Sequence, residues 1–476
     1  MVSAVEYFRM PEVRTTDPLY WPITALRQAY ASGRLSPEDV LRSAYARLRA
    51  YNPELHAFLC TLEGLAFEQA AAARKAFRDG RAEPLAGIPI SIKDTFDVAG
   101  AVSTRGSLVY RSNVATLDSG AVRRLRAAGA VFVGKTNTAE FGQSATTDNR
   151  LGKECRNPWD LNCTPGGSTG GGAASVAAGI VVAALGADGG GSLRIPAAFS
   201  GLVGFKPTYG LVQDEGGFPA MSDFCCAGPL AWRVADAREM LSVLAERSLV
   251  RGVVKGPLRV AWCPRPEGRP VDPELSVQAA AAARKLASLG YELEETPLPI
   301  AGWNNVFGPL VLEEEGRLRG HLLTSHRDSL TDYERATLEA AAELDAGTVE
   351  AARQDFRAFQ MRMDAFFETY DLIVTPTTSV PAFRVGQRPQ SIAGERVDSL
   401  WGAFPFTAAF NVAGTPGASI PCGFVRGMPV GLQLVCGRGR DAELLNIAED
   451  LEEALAIDLS TVIGRFSEQR ETESLT

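Results

Sequence analysis

The chain has 476 residues, of which 46% are hydrophobic and 22% charged, and it contains 47 glycines. This composition is typical of a globular enzyme and excludes disordered and fibrous chains, while the net charge of −8 argues against nucleic acid or an anionic membrane as the main partner. The eight cysteines are too few and too scattered for a disulfide framework, and none lies in a CxxC zinc pattern, so a reducing cytoplasm is the simpler compartment.

The sequence predicts neither a signal peptide nor a membrane span. Its first residues, "MVSAVEYFRMPEVRTTD", lack the apolar run of a signal peptide. The longest nearly polar-free stretch, residues 173–187, has about fifteen residues, fewer than the roughly 20 that a membrane-spanning helix needs. This stretch is predicted to form a buried helix followed by a buried strand.

In chain order, the first predicted element is a helix at residues 35–53, "LSPEDVLRSAYARLRAYNP". Ser36 is a favourable N-cap, and Asp39 lies three residues beyond it, as in a capping box. Asn52-Pro53 is expected to end the helix.

Strand and helix patterns alternate along the rest of the chain, which indicates an α/β layered fold. In residues 84–98, "PLAGIPISIKDTFDV", the two-residue period places three isoleucines on one face and Ser91 and Lys93 on the other. The charged segment 311–365 has helical spacing and is expected to form surface helices. The other predicted elements are helices at 64–78, 119–130, 273–290 and 441–456 and strands at 130–137, 258–264, 370–377, 417–424 and 429–437.

Residues 129–136, "GAVFVGKT", match the P-loop pattern G-x-x-x-x-G-K-[ST], but their context does not fit. A P-loop follows a strand and opens a helix. Here a helix comes first, and the residues between the glycines, Ala-Val-Phe-Val, favour a strand. Gly129 is therefore interpreted as the glycine that ends a helix, and a nucleotide-binding protein remains a remote alternative.

Residues 166–170, "GGSTG", match the nucleophile-elbow pattern G-x-S-x-G with Ser168 as the nucleophile. The elbow needs a buried strand that leads into it, whereas the preceding "RNPWDLNCTP" is polar and interrupted by prolines. It also needs a downstream histidine, but His321 and His326 lie in a polar helical stretch and His56 precedes the motif. A triad built on histidine is therefore not supported.

In residues 187–196, "ADGGGSLRIP", three glycines lead directly into Ser192. Glycine lets successive backbone N–H groups point into one cavity, where they stabilise a negatively charged oxygen. Ser192 lies where a nucleophile facing such an oxyanion hole is expected; the alternative is a tight turn between buried elements. Without a histidine, a lysine that burial keeps neutral can act as the base. Lys93, Lys135 and Lys206 all remain candidates on these grounds.

These segments resemble the amidase signature family, whose members are serine hydrolases. Residues 166–210 are similar to the signature stretch of that family, residues 87–94, "GIPISIKD", to its lysine motif, and residues 117–142 to the segment between the two. The likeness extends over most of the chain, including residues 34–58, 370–383 and 410–435.

The resemblance implies an α/β fold, the amidase signature fold, with a mixed central β-sheet covered by helices on both sides. It implies a single amidase domain over residues 1–476. The expected parts are an N-terminal helical part at 1–80, a catalytic core at 81–240, an insertion with a strand–helix unit and surface helices at 241–369, and a C-terminal part of the core at 370–460.

The resemblance also implies a triad of serine, serine in a cis peptide and lysine. Ser192 would be the nucleophile, Ser168 the bridging serine and Lys93 the base. The oxyanion hole would consist of the backbone N–H groups of Gly189, Gly190, Gly191 and Ser192.

Three positions depart from the family's pattern. Thr169 stands where a second serine is usual, Gly172 replaces a usual serine, and Gly189 replaces a usual threonine or isoleucine. The glycine at 189 makes the loop more flexible, or it admits a bulkier substrate. Asp188 and Arg194 fit the pattern and are interpreted as a structural pair that orients the loop, the alternative being contact with the substrate; Thr169 is a further supporting residue.

The predicted function is hydrolysis of C–N bonds in non-peptide amides through an acyl-enzyme, with no metal or organic cofactor. We expect a small-molecule amide or carbamate (urethane) substrate, no nucleic-acid or membrane partner and, from the resemblance, a homodimer. An apolar or aromatic substrate, an anilide or an aryl carbamate, is preferred because aromatic residues lie where family members often build the acyl pocket. These residues, each of which could instead belong to the core, are Trp303, Phe307, Trp401, Phe404, Phe406 and Phe410.

The main alternative is a glutamine-dependent amidotransferase A-type subunit that acts on charged tRNA. The segment 210–230, "GLVQDEGGFPAMSDFCCAGPL", departs from what is expected of that subunit. A non-catalytic binding protein on the same fold is the least supported, because all three triad side chains are present.

Overall fold

The computed structural model describes residues 17–254 and 256–467, so residues 1–16, on which the signal-peptide prediction rests, lie outside the described part. The helices are α1 (Ile23–Ala31), α2 (Pro37–Leu55), α3 (Glu63–Arg78), α4 (Gly120–Ala127), α5 (Gly170–Ala177), α6 (Arg194–Ser200), α7 (Val234–Leu244), α8 (Pro273–Ser288), α9 (Trp303–Arg319), α10 (Leu322–Ser325), α11 (Asp332–Ala342), α12 (Ala346–Thr369), α13 (Ala409–Val412), α14 (Asp441–Leu455) and α15 (Ser460–Ser467). The strands are β1 (Phe58–Thr61), β2 (Pro89–Lys93), β3 (Val131–Thr136), β4 (Ala183–Asp188), β5 (Val203–Lys206), β6 (Cys226–Ala231), β7 (Arg259–Trp262), β8 (Glu292–Glu295), β9 (Leu372–Pro376), β10 (Ser391–Ile392), β11 (Glu395–Arg396), β12 (Gly417–Val425) and β13 (Met428–Cys436).

One large mixed sheet organises the molecule. Its strands lie in the order β1-β3-β2-β4-β6-β5-β12-β13-β9-β7-β8, and β10 and β11 form a separate two-stranded sheet. The pairs β3–β2, β2–β4, β9–β7 and β7–β8 are parallel, whereas the other neighbours in the large sheet are antiparallel. Helices flank this sheet, which confirms the predicted α/β class with a mixed central sheet.

The predicted division of the chain into four parts stays a prediction, but strands from all four parts join the same sheet. The first part contributes β1, which pairs with β3. The third part contributes β7 and β8, which extend the sheet beyond β9. The segment 241–369 is thus built onto the edge of the central sheet through its strand–helix unit.

The predicted capping box at the start of α2 is present: the Ser36 hydroxyl accepts a hydrogen bond from the Asp39 N–H at 3.2 Å. The prediction that Asn52-Pro53 ends this helix is wrong. The helix continues past Pro53, because the carbonyl of Asn52 accepts a hydrogen bond from the N–H of His56 at 2.8 Å and so closes one more turn. His56 adopts a left-handed conformation, with φ of 50°, and ends the helix there.

The strand predicted at 84–98 is present only at its centre, as β2, because turns flank it on both sides. The other predicted elements are present with ends that differ by at most three residues. The four-residue strand β1 was not predicted, since so short a stretch carries too little of a two-residue period.

The prediction that segment 311–365 forms surface helices is wrong in part. Helices α9 and α12 bury apolar side chains in a second hydrophobic core, separate from the main one. Phe307 and Val311 of α9 pack there with Phe359 and Met363 of α12. Most of their charged residues are exposed, which is why the composition alone suggested surface helices, but Glu314, Glu315 and Arg319 of α9 are buried.

The sheet brings the glycine-rich loop and a lysine to the same edge. β2 and β4 are parallel neighbours, so their carboxyl ends meet. Lys93 is the last residue of β2, and Asp188, at the end of β4, precedes the three glycines. Of the helices in the described residues, none is long and apolar enough to span a membrane.

Candidate active site

Lys93 and Ser168 form a buried pair. The Lys93 Nζ lies 2.7 Å from the Ser168 Oγ, and the two residues are 2% and 1% exposed, respectively. Burial lowers the pKa of Lys93 to about 8, since the ammonium form loses its hydration. Ser168 follows a cis peptide bond with Gly167. A lysine in this state can accept a proton from the serine hydroxyl near neutral pH.

Ser192 faces the same space as this pair. It lies in the loop between β4 and α6, is 8% exposed, and lines a cavity of about 280 Å³ together with Lys93 and Ser168. Among the described residues its hydroxyl has no hydrogen-bond partner, so the link from Ser192 to Ser168 is not closed in this structure. Such contacts are often longer without substrate and tighten in the substrate complex.

The glycine loop presents backbone N–H groups beside Ser192. Those of Gly189, Gly190 and Ser192 have no acceptor among the described residues. The Gly191 N–H instead donates to Asp188 Oδ1 at 2.8 Å. Of the four donors predicted for an oxyanion hole, three are therefore available, and the fourth holds the loop to the strand that precedes it. The φ of Gly191 is 135°, which requires glycine at that position.

Asp188 and Arg194 form a fully buried ion pair behind the loop. Arg194 Nε lies 2.9 Å from Asp188 Oδ2, and a terminal guanidinium nitrogen lies 2.8 Å from Oδ1. Burial alone would raise the pKa of Asp188, but the guanidinium beside it holds that pKa well below its usual range. Asn411 and Gln433 complete the surroundings of Arg194. Neither member of the pair lines the cavity that contains Lys93, Ser168 and Ser192, and that the pair orients the loop stays a prediction.

The two rival lysines have other partners. Lys135 forms a fully buried ion pair with Asp94, at 2.8 Å, and donates to the Ser103 hydroxyl at 2.7 Å. Lys206 donates to the backbone carbonyls of its neighbours at positions 207 and 415, and burial lowers its pKa. Neither side chain lines a cavity with Ser192. Of the three candidates, Lys93 alone contacts one of the two serines.

Two departures from the family's pattern are explained by close packing. A Cβ at position 172 would lie 3.0 Å from the methyl carbon of Thr169, so the added methyl of the threonine occupies the space beside this glycine. A Cβ at position 189 would lie 2.5 Å from the Sδ of Met221. In both places a neighbouring side chain, that of Thr169 or Met221, occupies the space that a side chain at the glycine would need.

A second, larger cavity of about 690 Å³ also reaches Ser192. It includes Gly190 but neither Lys93 nor Ser168, and Gly142, Ser192 and Met221 are common to both cavities. Its walls are mainly apolar and are formed in large part by α9, α11 and the segment before α13. The apolar residues on these walls include Ile195, Phe307, Val311, Leu312, Leu400 and Trp401.

Of the six aromatic residues proposed for the acyl pocket, Phe307 and Trp401 line the large cavity. Trp303 packs against both rings from behind, and the other three are buried in the core. The sequence prediction did not identify Phe218 and Met221, which line the smaller cavity. Their segment, 210–230, carried one signal only, namely its unusual sequence.

The P-loop match and the histidines lie in the structure where the sequence analysis predicted. Residues 131–136 of the P-loop match form the buried strand β3, and Gly129, with φ of 81°, follows α4. His321 and His326 are exposed at the two ends of the short helix α10. In the described residues there is no cluster of histidine, cysteine and acidic side chains that could hold a metal ion.

Comparison with known proteins identifies the family to which this chain belongs. The family model described as Amidase matches residues 39–445. The indoleacetamide hydrolase of Bradyrhizobium diazoefficiens is 34% identical over 464 residues, which cover 91% of this chain and 86% of that protein. The A-type subunit of the glutamyl-tRNA(Gln) amidotransferase of Symbiobacterium thermophilum is 32% identical over 465 residues, or 89% of this chain and 94% of that one.

A solved structure extends the match to the fold. A bacterial aryl acylamidase of the amidase signature family superposes with a TM-score of 0.85 at 27% identity, covering 94% of this chain and 98% of the other. The chain therefore belongs to the Amidase family of amidase signature enzymes and is a hydrolase of carbon–nitrogen bonds other than peptide bonds.

Proposed function

We propose that the protein hydrolyses non-peptide amides with an apolar or aromatic acyl group, through an acyl-enzyme on Ser192. The observation that carries this proposal is the buried pair of Lys93 and Ser168 in one cavity with Ser192. Neutral Lys93 takes the proton of Ser168 while Ser168 takes that of Ser192, whose Oγ forms a bond to the substrate carbonyl carbon. The free N–H groups of the glycine loop stabilise the resulting oxyanion.

The C–N bond then breaks as Ser168 returns a proton to the leaving nitrogen, with Lys93 supplying the proton to Ser168. Water attacks the ester carbonyl of the acyl-enzyme, loses its proton to the same two residues, and releases the acid and Ser192. All of the proton transfers thus stay within this chain's own side chains, and no cofactor is needed.

The position of Ser168 orients the substrate. Because Ser168 protonates the leaving nitrogen, the amine must lie on the side of the cavity that contains Ser168 and Lys93, the one of about 280 Å³. The acyl group then extends past Ser192 and Gly190 into the cavity of about 690 Å³. The apolar walls of that cavity, with Phe307 and Trp401, favour a hydrophobic or aromatic acyl group. Aryl acetamides, anilides and aryl carbamates are the classes that we infer.

The similarity to the A-type amidotransferase component favours a second function, release of ammonia from glutamine for transfer to tRNA. Glutamine carries an α-ammonium and an α-carboxylate, which need charged partners beside the acyl group. The charged residues lining the large cavity are Arg269 and Asp398, which lie 3.3 Å apart and pair with each other. The two charges of glutamine would compete with this pair, and the net charge of −8 opposes tRNA binding. We infer a cytoplasmic enzyme, a homodimer, that needs no nucleic-acid partner.

The test combines labelling with turnover. The purified protein is treated with a fluorophosphonate and the modified serine is located by peptide mapping, with Ser192 expected. Phenylacetamide, an anilide, an aryl carbamate and glutamine are then offered separately. Turnover of the apolar amides with an adduct on Ser192 supports the proposal. Turnover of glutamine alone would replace it with the amidotransferase function, and an adduct on Ser168 would reverse the roles of the two serines.

A further inference from the structure

Met221 occupies the junction of the two cavities. It is one of three residues that line both, with Gly142 and Ser192, and it belongs to the segment 210–230, whose sequence is unusual for the amidotransferase component. Its backbone is left-handed, with φ of 52°. Of these three residues, Met221 alone has a long side chain, so its thioether separates the two cavities.

The backbone of Met221 is held firmly. Its carbonyl accepts hydrogen bonds from the N–H groups of both Phe224 and Cys225, each at 2.8 Å. The next residue, Ser222, donates its N–H to Glu314 Oε2 at 2.8 Å. The position of the Cα is therefore fixed by α9 and by a local turn. The side chain is unbranched and has three rotatable bonds, so it can fill an irregular gap and still move.

Met221 also fills the space beside the oxyanion loop. The three atoms nearest to a Cβ built on Gly189 all belong to Met221: Sδ at 2.5 Å, Cβ at 3.1 Å and Cγ at 3.4 Å. The backbone of Gly189 does not require glycine, since its φ is not in the left-handed region. Met221 therefore occupies the space that a side chain at position 189 would need.

We propose that Met221 is a specificity-determining residue, a divider that limits the substrate to one bulky apolar group on the acyl side and a compact amine on the other. This inference rests on the proposed function and on its orientation of the acyl group. An amide that is bulky on both sides must displace the thioether from beside Gly189. Within the classes inferred above, primary amides and small N-alkyl amides of aryl-substituted acids are then favoured over anilides.

The first experiment compares kcat/KM for phenylacetamide and phenylacetanilide, which share an acyl group and differ in the amine. We expect the native protein to prefer phenylacetamide. Met221→Ala is expected to raise the relative kcat/KM for phenylacetanilide by about tenfold or more, since it removes the volume of several methylene groups. Met361→Ala is the matched control, because Met361 is 72% exposed, lies outside both cavities and should leave the ratio unchanged. An unchanged ratio in Met221→Ala would overturn the proposal.

The second experiment tests the shared volume. Gly189→Ala is expected to lower kcat/KM for phenylacetamide by about tenfold, because the new methyl meets the thioether and also the Met221 Cβ, 3.1 Å away and fixed by the backbone, and so moves the oxyanion loop. Adding Met221→Gly, which removes both the thioether and the Cβ at 3.1 Å, should bring kcat/KM back to within about threefold of Met221→Gly alone, as coupled neighbours do. If the double variant is as slow as Gly189→Ala, Met221 is not what excludes a side chain there and the inference is wrong.

Labelling separates a failure of this inference from a failure of the proposed function. Two fluorophosphonates with the same alkyl tag, one an ethoxy and one a phenethoxy ester, are compared for their rates of reaction at Ser192. Met221→Ala should accelerate the phenethoxy probe relative to the ethoxy probe even if no tested amide is turned over. Labelling of Ser192 with an unchanged rate ratio would refute the role of Met221 alone. Absence of labelling at Ser192 would overturn the proposed function and, with it, this inference.

Discussion

Lys93 and Lys135 lie on the neighbouring parallel strands β2 and β3. Both side chains are buried, but their surroundings differ. In the register of the two strands Ile92 is opposite Lys135, and Lys93 is opposite Thr136. Side chains alternate between the faces of a sheet, so the two lysines point to opposite faces. One faces the cavity that holds the two serines, and the other faces an ion-pair partner.

The partners differ in kind. The partner of Lys93 is a neutral hydroxyl, that of Ser168, and none of the carboxylates in the described residues forms an ion pair with Lys93, so burial lowers its pKa to about 8. Lys135 has the Asp94 carboxylate at 2.8 Å and the Ser103 hydroxyl. Burial alone does not make a lysine a base. The difference lies in whether an anion accompanies the lysine into the interior.

Removal of each lysine should therefore have a different consequence. Lys93→Met is expected to lower kcat/KM by about 10³-fold or more, because the base is lost while the apolar stem is kept. The assay is hydrolysis of phenylacetamide by protein whose circular dichroism matches the native one. The double variant Lys135→Met/Asp94→Asn, which removes the buried pair as a unit, is the control and should keep most of the activity. Equal losses in the two folded proteins would remove Lys93 from the role of base.

Lys135→Met alone should act on stability. It leaves the Asp94 carboxylate, 1% exposed, without its cation, which is expected to lower the free energy of unfolding by about 3–5 kcal/mol. Urea unfolding of the single and double variants measures this, and Asp94→Asn should recover much of the loss in the Lys135→Met background. A single variant as stable as the native protein would mean that the pair contributes little and that the contrast between the two lysines is weaker than the contacts indicate.

The periodic parts of the fold could be predicted from the sequence. The capping box of α2, the helix–strand pair in 173–187 and the strand that ends in Lys93 follow from local pattern, and the structure contains each of them. The continuation of α2 past Pro53 could not be predicted, because it depends on one hydrogen bond to the Asn52 carbonyl. Helical spacing correctly predicted the helices of 311–365, but not the burial of α9, whose apolar face packs with α12 in the second core.

Less of the candidate site than of the fold could be predicted from the residues alone. Three lysines fitted the role of base until a family resemblance favoured Lys93, because burial and partner depend on strand register, which a single sequence does not determine. The packing of Gly189 against Met221 joins positions 32 residues apart in the chain, and nothing in either local pattern indicates it. Such pairs need a tertiary structure, whereas the glycine loop itself is visible in the sequence.

The smallest effect expected from the contrast between Lys93 and Lys135 is on the pH dependence of kcat/KM, which can be measured with active enzyme alone. Because Lys93 must be neutral to accept a proton and its pKa is about 8, kcat/KM should rise about tenfold per pH unit up to that value and level off above it, so that the value at pH 7 is about one-tenth of the plateau. Initial rates with phenylacetamide, whose charge is constant from about pH 6 to 10, give the profile directly. The Lys135→Met/Asp94→Asn variant should show the same midpoint, since its changes are on the other face of the sheet. A midpoint of about 10.4, the ordinary value for lysine, would show that Lys93 is not desolvated in solution. A shift of the midpoint in the double variant would show that the two faces of the sheet are coupled.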